Sequence, residues 1–197
     1  PEKCMVLRLS GAIKEGCLDQ IRHIIKIERF DLEGPINEGT GQTLCTVTAL
    51  QWAVCFENET FLQKKRVVEL LVELGASLET KTPDGSTTLF LALNLRDIKL
   101  MKCLRHLGAD INARDNQGTT ILHAEAANIN LAHHTEIAQM IACWDEFDLH
   151  AQDVFGFTAL QLAEEYSNTE MVKLLKNVGI SNSADENHKA TANKKGI

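Results

Sequence analysis

The sequence predicts an all-α protein, a solenoid in which helix-turn-helix units are stacked in a row. A threonine followed by an apolar run recurs at Thr48, Thr87, Thr120 and Thr158, with spacings of 39, 33 and 38 residues. A second apolar helical pattern follows each of these starts. Helices of about ten residues are marginal in water when isolated, so each must bury its apolar stripe on a neighbour. A row of such pairs is the arrangement that provides the neighbours.

The clearest unit is the stretch 84–113. The turn residues Pro83, Asp84 and Gly85 open it, and a threonine-initiated apolar run follows. A second helical pattern then closes on Gly108, as is typical of a helix C-terminus. The same order of signals predicts helix pairs on both sides of this stretch.

The motifs at the first helices resemble those of ankyrin repeats, which have a 33-residue period and a T-P-L-H-x-A pattern. They read Thr48-Ala-Leu-Gln-Trp-Ala53, Thr87-Thr-Leu-Phe-Leu-Ala92, Thr120-Ile-Leu-His-Ala-Glu125 and Thr158-Ala-Leu-Gln-Leu-Ala163. The resemblance covers residues 5–180 and implies an ankyrin-repeat solenoid with short β-hairpin-like loops. It predicts one domain over residues 1–180, with repeats at about 5–33, 44–80, 82–114, 115–151 and 153–180. A long loop at 34–47 and a disordered tail at 181–197 complete the predicted organisation.

Two repeats depart from the regular pattern. Extra residues near 57–65 and 128–134 predict longer loops, because a longer loop costs little entropy whereas a longer helix would disturb the stack. Glu125 occupies the slot that ankyrin repeats normally fill with alanine. The favoured interpretation is a register change that lets Ala124 or Ala126 fill the slot; the alternative is a buried, partnered glutamate that marks a functional pocket.

The composition argues against several classes of function. The 20 Lys and Arg residues against 27 Asp and Glu give a formal charge of −7 without a dense basic cluster, so no nucleic acid is expected as a partner. No apolar run of 18 residues occurs, and no membrane partner is expected. The six cysteines form no C-x-x-C pair and lie mostly at apolar helical positions. They indicate free thiols in a reducing compartment, the cytoplasm or the nucleus.

The sequence carries no recognisable catalytic or phosphate-binding motif, and no cofactor is predicted. Gly39-Thr-Gly41 lacks the third glycine of a dinucleotide fingerprint, and the adjacent His133 and His134 are a weak metal-binding signal. A non-enzymatic protein is therefore expected. An enzyme that acts through His133, His134 or Glu125 is the weakest of the alternatives.

The resemblance implies a monomer that binds another protein, of unknown identity, through its concave face. In ankyrin repeats this face is made of hairpin tips and the ends of the first helices. The predicted binding residues at these places are Phe56, Pro83, Asp84, Asn94, Leu95, Arg114, Asn116, Gln117, Asn128, Val154, Phe155, Phe157, Glu165 and Tyr166. The aromatic and apolar members in repeat five predict a hydrophobic partner patch, because aromatic residues carry much of the binding energy of interfaces. The alternative is that these side chains pack on the repeat's own end or under the tail.

Such a module acts as an inhibitor, when it covers a partner's working surface, or as an adaptor. The alternatives are a regulatory or targeting segment of a larger enzyme, and a host-directed effector. The resemblance also implies that Asn112, at the hairpin position of ankyrin asparagines, is a candidate for asparaginyl hydroxylation.

Overall fold

A computed structural model of the chain describes residues 2–34, 47–56, 60–128, 136–137, 140, 144 and 146–178. These residues form helices, turns and loops, and none of them lies in an extended strand. An isolated antiparallel bridge joins Gln152 to Thr158. The predicted all-α fold is thus confirmed. The chain divides into two compact units, residues 1–116 and residues 117–197.

The first unit contains three consecutive helix pairs. Their bounds are α1 Glu2–Glu15, α2 Leu18–Ile27, α3 Ala49–Cys55, α4 Phe61–Glu73, α5 Thr88–Asn94 and α6 Ile98–His106. The helices of each pair pack on each other, α1 and α5 both pack on α3, and α2 and α6 both pack on α4. The buried core runs between these two rows, with Leu50, Leu71 and Leu104 fully excluded from solvent. Each pair therefore buries its apolar stripe on its neighbours.

The second unit contains α7 Ile121–Ala126, α8 Ala159–Glu165 and a helix over residues 169–178, α9. Helices α7 and α8 pack on each other. Ile121, Leu122 and Ala163 are buried, as is Met171 on α9. First helices thus pack side by side here as they do in the first unit.

Reciprocal hydrogen bonds fix where the first helices begin. In α3, the Thr48 N–H donates to Gln51 Oε1 at 2.9 Å, and the Gln51 N–H donates to Thr48 Oγ1 at 3.3 Å. Thr158 and Gln161 repeat this capping box at α8, with distances of 2.9 and 3.4 Å. Each box satisfies two donors that a helix start leaves without partners. The recurrent threonine of the sequence is therefore the residue that sets the helix register.

The insertion near residues 57–65 is only partly a loop. Helix α4 has 13 residues whereas its counterpart α6 has nine, because α4 begins earlier, at Phe61. The prediction that extra residues extend only loops was therefore wrong here. The added turn carries Lys64, a buried residue whose ammonium donates to the carbonyl of Val54 at 3.1 Å. A cation at the C-terminal end of α3 is favourable because that end carries partial negative charge.

The predicted register change around Glu125 was also wrong. Helix α7 begins after Thr120, in the same register as the other first helices. Glu125 is 1% exposed and occupies the slot held by Ala53, Ala92 and Ala163 in the other repeats. The buried carboxyl group is thus a feature of the fold.

Several predictions fall on residues outside the described ranges. These are the loop 34–47 apart from its two ends, Gly39-Thr-Gly41, His133 and His134, residues 57–59 and 129–134 of the two insertions, and the tail 181–197. They stay predictions, as do the exact limits of the repeats.

Candidate protein-binding surface

In the first unit, consecutive loops are joined backbone to backbone. The Asn116 N–H donates to the Asp84 carbonyl at 3.3 Å, and Asn116 Nδ2 donates to the Pro83 carbonyl at 2.9 Å. Gly85 makes this approach possible: it has a φ of +88°, and a Cβ there would lie 2.4 Å from the Asn116 nitrogen. The structure thus brings together three predicted binding residues, Pro83, Asp84 and Asn116.

The Asp84 carboxylate holds its own hairpin. It accepts hydrogen bonds from Ser86 Oγ and Thr82 Oγ1, both at 2.6 Å. The hydrogen bond from Ser86, and to a smaller extent that from Thr82, lowers the pKa of Asp84 because both stabilise the charged carboxylate. The carboxylate is therefore charged and positioned at neutral pH, and its first role is to stabilise the hairpin.

In the second unit, the hairpin of repeat five is held by Asp153. Its Oδ1 accepts the N–H groups of Phe155 and Phe157, both at 2.9 Å. The Asp153 N–H donates to the Phe157 carbonyl at 3.0 Å, and the Val154 N–H donates to the Gln117 carbonyl at 2.9 Å. With its backbone groups paired in this way, the hairpin presents its side chains from a defined frame.

The side chains presented there are large and apolar. Val154 is 62% exposed, Phe155 75% and Phe157 45%, and Tyr166 at the end of α8 is 49% exposed. We call these four residues the repeat-five surface. Val154 and Phe155 are thus mostly exposed, whereas about half of Phe157 and of Tyr166 is covered. The alternative that these side chains lie under the tail falls on residues outside the described ranges. Exposed apolar groups on a fixed frame are characteristic of interaction sites.

The remaining predicted binding residues of the second unit, Gln117, Asn128 and Glu165, are polar and differ in how far they take part in internal hydrogen bonds. Glu165 is exposed beside Tyr166, and Gln117 is exposed while its carbonyl accepts from Val154. Asn128 is half-buried, and its carbonyl accepts from Asn168 Nδ2 at 3.0 Å. Asn128 therefore takes part in internal packing, whereas Glu165 faces solvent.

In the first unit, the ends of the first helices are less uniform than predicted. Asn94, Leu95 and Arg114 are exposed, Leu95 at 46%. Phe56 is half-buried and stacks on Trp52 with a centroid distance of 6.0 Å. The Lys14 ammonium lies 5.3 Å from the Phe56 centroid and 5.5 Å from that of Trp52. Phe56 is therefore already engaged by a cation within its own unit.

Sequence reasoning missed the contact of Lys14 with the rings of Trp52 and Phe56. These residues lie about forty positions further along the chain, and no local pattern indicates a contact over that separation. Sequence reasoning also missed the ladder of carboxylates between neighbouring repeats. Glu33 Oε1 accepts the Ser77 N–H at 2.8 Å, and Glu79 Oε1 accepts the Asp110 N–H at 2.9 Å. The regular spacing of Glu33 and Glu79 after the second helices was a usable signal for this ladder.

Asn112 occupies the position that Glu33 and Glu79 hold in the two preceding repeats. It is half-buried, and its N–H donates to Asp110 Oδ1 at 2.8 Å. The side chain that stabilises this turn is therefore that of Asp110, and Asn112 contributes its backbone N–H. Hydroxylation of Asn112 stays a prediction.

Other kinds of site find no support within the described residues. No group of three or more His, Cys, Asp or Glu side chains is placed to hold a metal ion. None of the helices there is long and apolar enough to cross a membrane.

Comparison with known proteins agrees with this geometry. The family profile described as Ankyrin repeat matches residues 84–116. Mouse Rabankyrin-5 is 29% identical over 149 residues, which are 70% of this chain and 12% of that protein, and human Rabankyrin-5 is 27% identical over 97 residues, 49% of the chain and 8% of that protein. An ankyrin repeat protein from Rickettsia bellii (strain RML369-C) is 30% identical over 119 residues, 59% of the chain and 62% of that protein.

The chain thus spans only a small part of Rabankyrin-5 and less than two thirds of the Rickettsia protein. Ankyrin repeats are generally protein-interaction modules, and proteins of this kind are typically non-enzymatic. The recurring helix pairs, the matched repeat at residues 84–116 and these relatives together show that the chain is similar to ankyrin-repeat proteins.

Proposed function

We propose that this chain is a non-catalytic module that binds a partner protein through hairpin tips and the ends of first helices, with the repeat-five surface as its principal anchor. The observation that carries the proposal is the exposure of Phe155, at 75%, on a hairpin whose backbone is fixed by Asp153. A rigid frame reduces the entropy that is lost when a partner binds.

Exposure of large apolar side chains at the tip is unfavourable for the isolated repeat. At the position of Phe155, two other repeats have the polar residues Asp84 and Gln117, so the fold does not require an apolar side chain there. An exposed phenylalanine adds nothing to the packing of its own repeat, and burial of a phenylalanine side chain contributes about 1.5–3 kcal/mol. A partner that covers Phe155 and Tyr166 recovers this free energy.

Photo-crosslinking tests the proposal. The residue p-benzoylphenylalanine is introduced at position 155 and, in a control protein, at position 62, since Leu62 is also an exposed apolar residue, at 55%. Each protein is irradiated in an extract of its native cell. We expect a defined protein to crosslink at position 155 and not at position 62, and the purified partner to bind the wild-type chain directly. Equal crosslinking at both positions would indicate nonspecific adhesion and contradict the proposal.

The consequence of binding separates two modes of action. An inhibitor covers the partner's working surface, so the partner's activity falls as the chain is added. An adaptor leaves that activity unchanged and brings a third protein to the complex. Both modes use the same surface, and a titration of the partner's activity distinguishes them.

The matched regions cover only 12% of mouse and 8% of human Rabankyrin-5, which motivates a second candidate: the chain is a regulatory or targeting segment of a larger enzyme. The binding chemistry is the same in that case, but its effect appears in the activity of the attached segment. The activity of the protein encoded by the full-length transcript, measured with the wild-type sequence and with Phe155→Ser, tests this candidate.

We also propose that the chain acts as a monomer in a reducing compartment, the cytoplasm or the nucleus. This is consistent with Cys17 and Cys103, which form no disulfide bond within the described residues.

A further inference from the structure

We infer that the partner bound by the repeat-five surface is a basic protein segment that carries apolar side chains. The inference rests on the proposed function and specifies the chemistry of its partner. Two independent features of the second unit support it: its charge and the apolar groups already described.

The negative charge of the chain is concentrated in one region. Residues 1–116 contain 15 Lys and Arg against 16 Asp and Glu, so their formal charge is −1. Residues 117–178 contain nine Asp and Glu against two lysines and no arginine, a formal charge of −7, and residues 179–197 contribute +1. The repeats that carry the exposed phenylalanines therefore carry the strong negative field.

Part of this charge lies beside the repeat-five surface and faces solvent. Glu164, Glu165 and Glu170 are exposed on α8 and α9. Lys176 pairs with Glu164 at 2.8 Å. No ion pair within the described residues involves Glu165 or Glu170, and Glu165 directly precedes the exposed Tyr166. Their charge is thus available to a partner.

The combination of negative charge and exposed apolar side chains favours one class of partner for the repeat-five surface over the others. Exposed apolar side chains alone would suit a second copy of this chain, but two regions of −7 charge repel each other. Nucleic acids and anionic membranes are repelled for the same reason. A basic segment is attracted, and its apolar side chains cover Phe155 and Phe157 once it has docked. Charge complementarity at the rim of an interface mainly sets the rate of association, and apolar contact at its centre mainly sets the rate of dissociation.

Selection from a library of random peptides displayed on phage tests the inference. The immobilised full chain serves as bait, and the double variant Phe155→Ser/Phe157→Ser is used to identify peptides whose binding depends on the tip. Circular dichroism first verifies that the double variant keeps wild-type helicity. We expect tip-dependent peptides with a net positive charge and several apolar residues.

The rate of association then provides a quantitative readout. For tip-dependent peptides, we expect the association rate constant to fall about tenfold between about 50 mM and about 500 mM NaCl, because salt screens the steering. Glu165→Lys should lower the rate constant several-fold at low salt, whereas Glu73→Lys, the same change at an exposed position of α4, should leave it within about twofold.

The outcomes of these experiments distinguish failure of the inference from failure of the proposed function. Tip-dependent peptides that are neutral or acidic, with salt-independent association, would overturn the inference and leave the proposed function intact. The absence of any tip-dependent peptide would overturn both. A dimer that forms through the tip in sedimentation velocity would identify a second copy as the occupant and likewise contradict the inference.

Discussion

His123 Nε2 lies 3.0 Å from the carbonyl oxygen of Phe157, so a histidine at the start of α7 holds the hairpin of repeat five. Because a carbonyl only accepts, the hydrogen of the ring resides on Nε2. Nδ1 then accepts from the Thr120 N–H at 3.3 Å and from Thr120 Oγ1 at 2.8 Å. A single buried ring therefore closes the start of one helix and fixes the frame of the candidate binding surface.

His123→Ala should destabilise the second unit by about 1–3 kcal/mol, because it leaves the buried Thr120 N–H without its acceptor and removes one of the two hydrogen bonds to the Phe157 carbonyl. His123→Gln is the matched control, since Gln51 performs the equivalent task in repeat two. Its Oε1 accepts from Thr48 N–H at 2.9 Å, and its Nε2 donates to the Thr80 carbonyl at 2.7 Å. Urea unfolding should show most of the stability retained in the glutamine variant. Equal losses for both variants would contradict this account of His123.

The threonines that begin the first helices should differ in their contributions. Thr87 Oγ1 is buried and has no hydrogen-bond partner within the described residues, and Phe90 lacks the polar side-chain group that Gln51, His123 and Gln161 supply at the equivalent position. Thr87→Val should therefore leave the stability unchanged or raise it. Thr48→Val removes a working capping box and should cost about 1 kcal/mol. Thermal unfolding of the two variants provides the comparison, and a larger loss for Thr87→Val would refute it.

Glu79 should give a pH-dependent effect. Partial burial raises its pKa, although the N–H of Asp110 opposes the shift. A raised pKa in the folded state means that the fold is favoured when Glu79 is protonated, and this advantage is lost as the pH rises through the raised value. Glu79→Gln keeps an acceptor for the Asp110 N–H without the charge. It should match or exceed wild-type stability at neutral pH, and the difference should vanish below the ordinary carboxyl pKa.

Glu79→Ala is the control, because it removes the acceptor at every pH and should cost about 1 kcal/mol. Urea midpoints at pH 7 and at about pH 3.5, below the ordinary glutamate pKa, measure both effects. If the glutamine variant loses as much stability as the alanine variant at pH 7, the charge of Glu79 stabilises the fold and the predicted sign is wrong.

Asn168 should be important for the second unit out of proportion to its size. Its Nδ2 lies 3.3, 3.3 and 3.0 Å from the carbonyls of Glu125, Ala126 and Asn128, and its Oδ1 accepts the Met171 N–H at 3.2 Å. It thus caps the end of α7 and the start of α9 together. Asn168→Ala should destabilise by about 1–3 kcal/mol.

Asn168→Asp separates the two caps. Aspartate keeps the acceptor for Met171 but loses the donor and places a negative charge against carbonyls at a helix C-terminus. We expect it to be at least as destabilising as alanine in chemical denaturation. Restoration of wild-type stability by aspartate would show that only the cap on α9 matters.

The fold was predictable because its signals are local and recur. The threonine at each helix start has a physical role in the capping boxes of Thr48 and Thr158. The extra turn of α4 had a local signal that the sequence reasoning overlooked, because Thr60 begins this helix by accepting the Gln63 N–H at 3.3 Å, in the same T-x-x-Q pattern as Thr48 and Thr158. Glu125 was misjudged because the general cost of burying a carboxyl group was applied to one position without knowledge of its surroundings.

The candidate surface was predictable in part. Its apolar members were identified because Val154, Phe155 and Phe157 stand where a repeat can do with polar residues, as repeat four does with Asn116, Gln117 and Thr119. The engagement of Phe56 by Lys14 was not, because it depends on how consecutive repeats lie together. Local patterns therefore show which side chains the fold does not need, and packing decides which of them remain accessible.

The dissociation constant of the purified partner is the most direct test of the central claim, that the repeat-five surface binds another protein. It should be measured by calorimetry for the wild-type chain, for Phe155→Ala and Tyr166→Ala, and for Ile27→Ala, which truncates an exposed apolar residue on α2. We predict that the first two variants weaken binding about tenfold or more with unchanged helicity, and that Ile27→Ala has no effect. Equal affinity for all four proteins would contradict the claim, and a large loss of helicity in Phe155→Ala or Tyr166→Ala would show that these residues belong to the core.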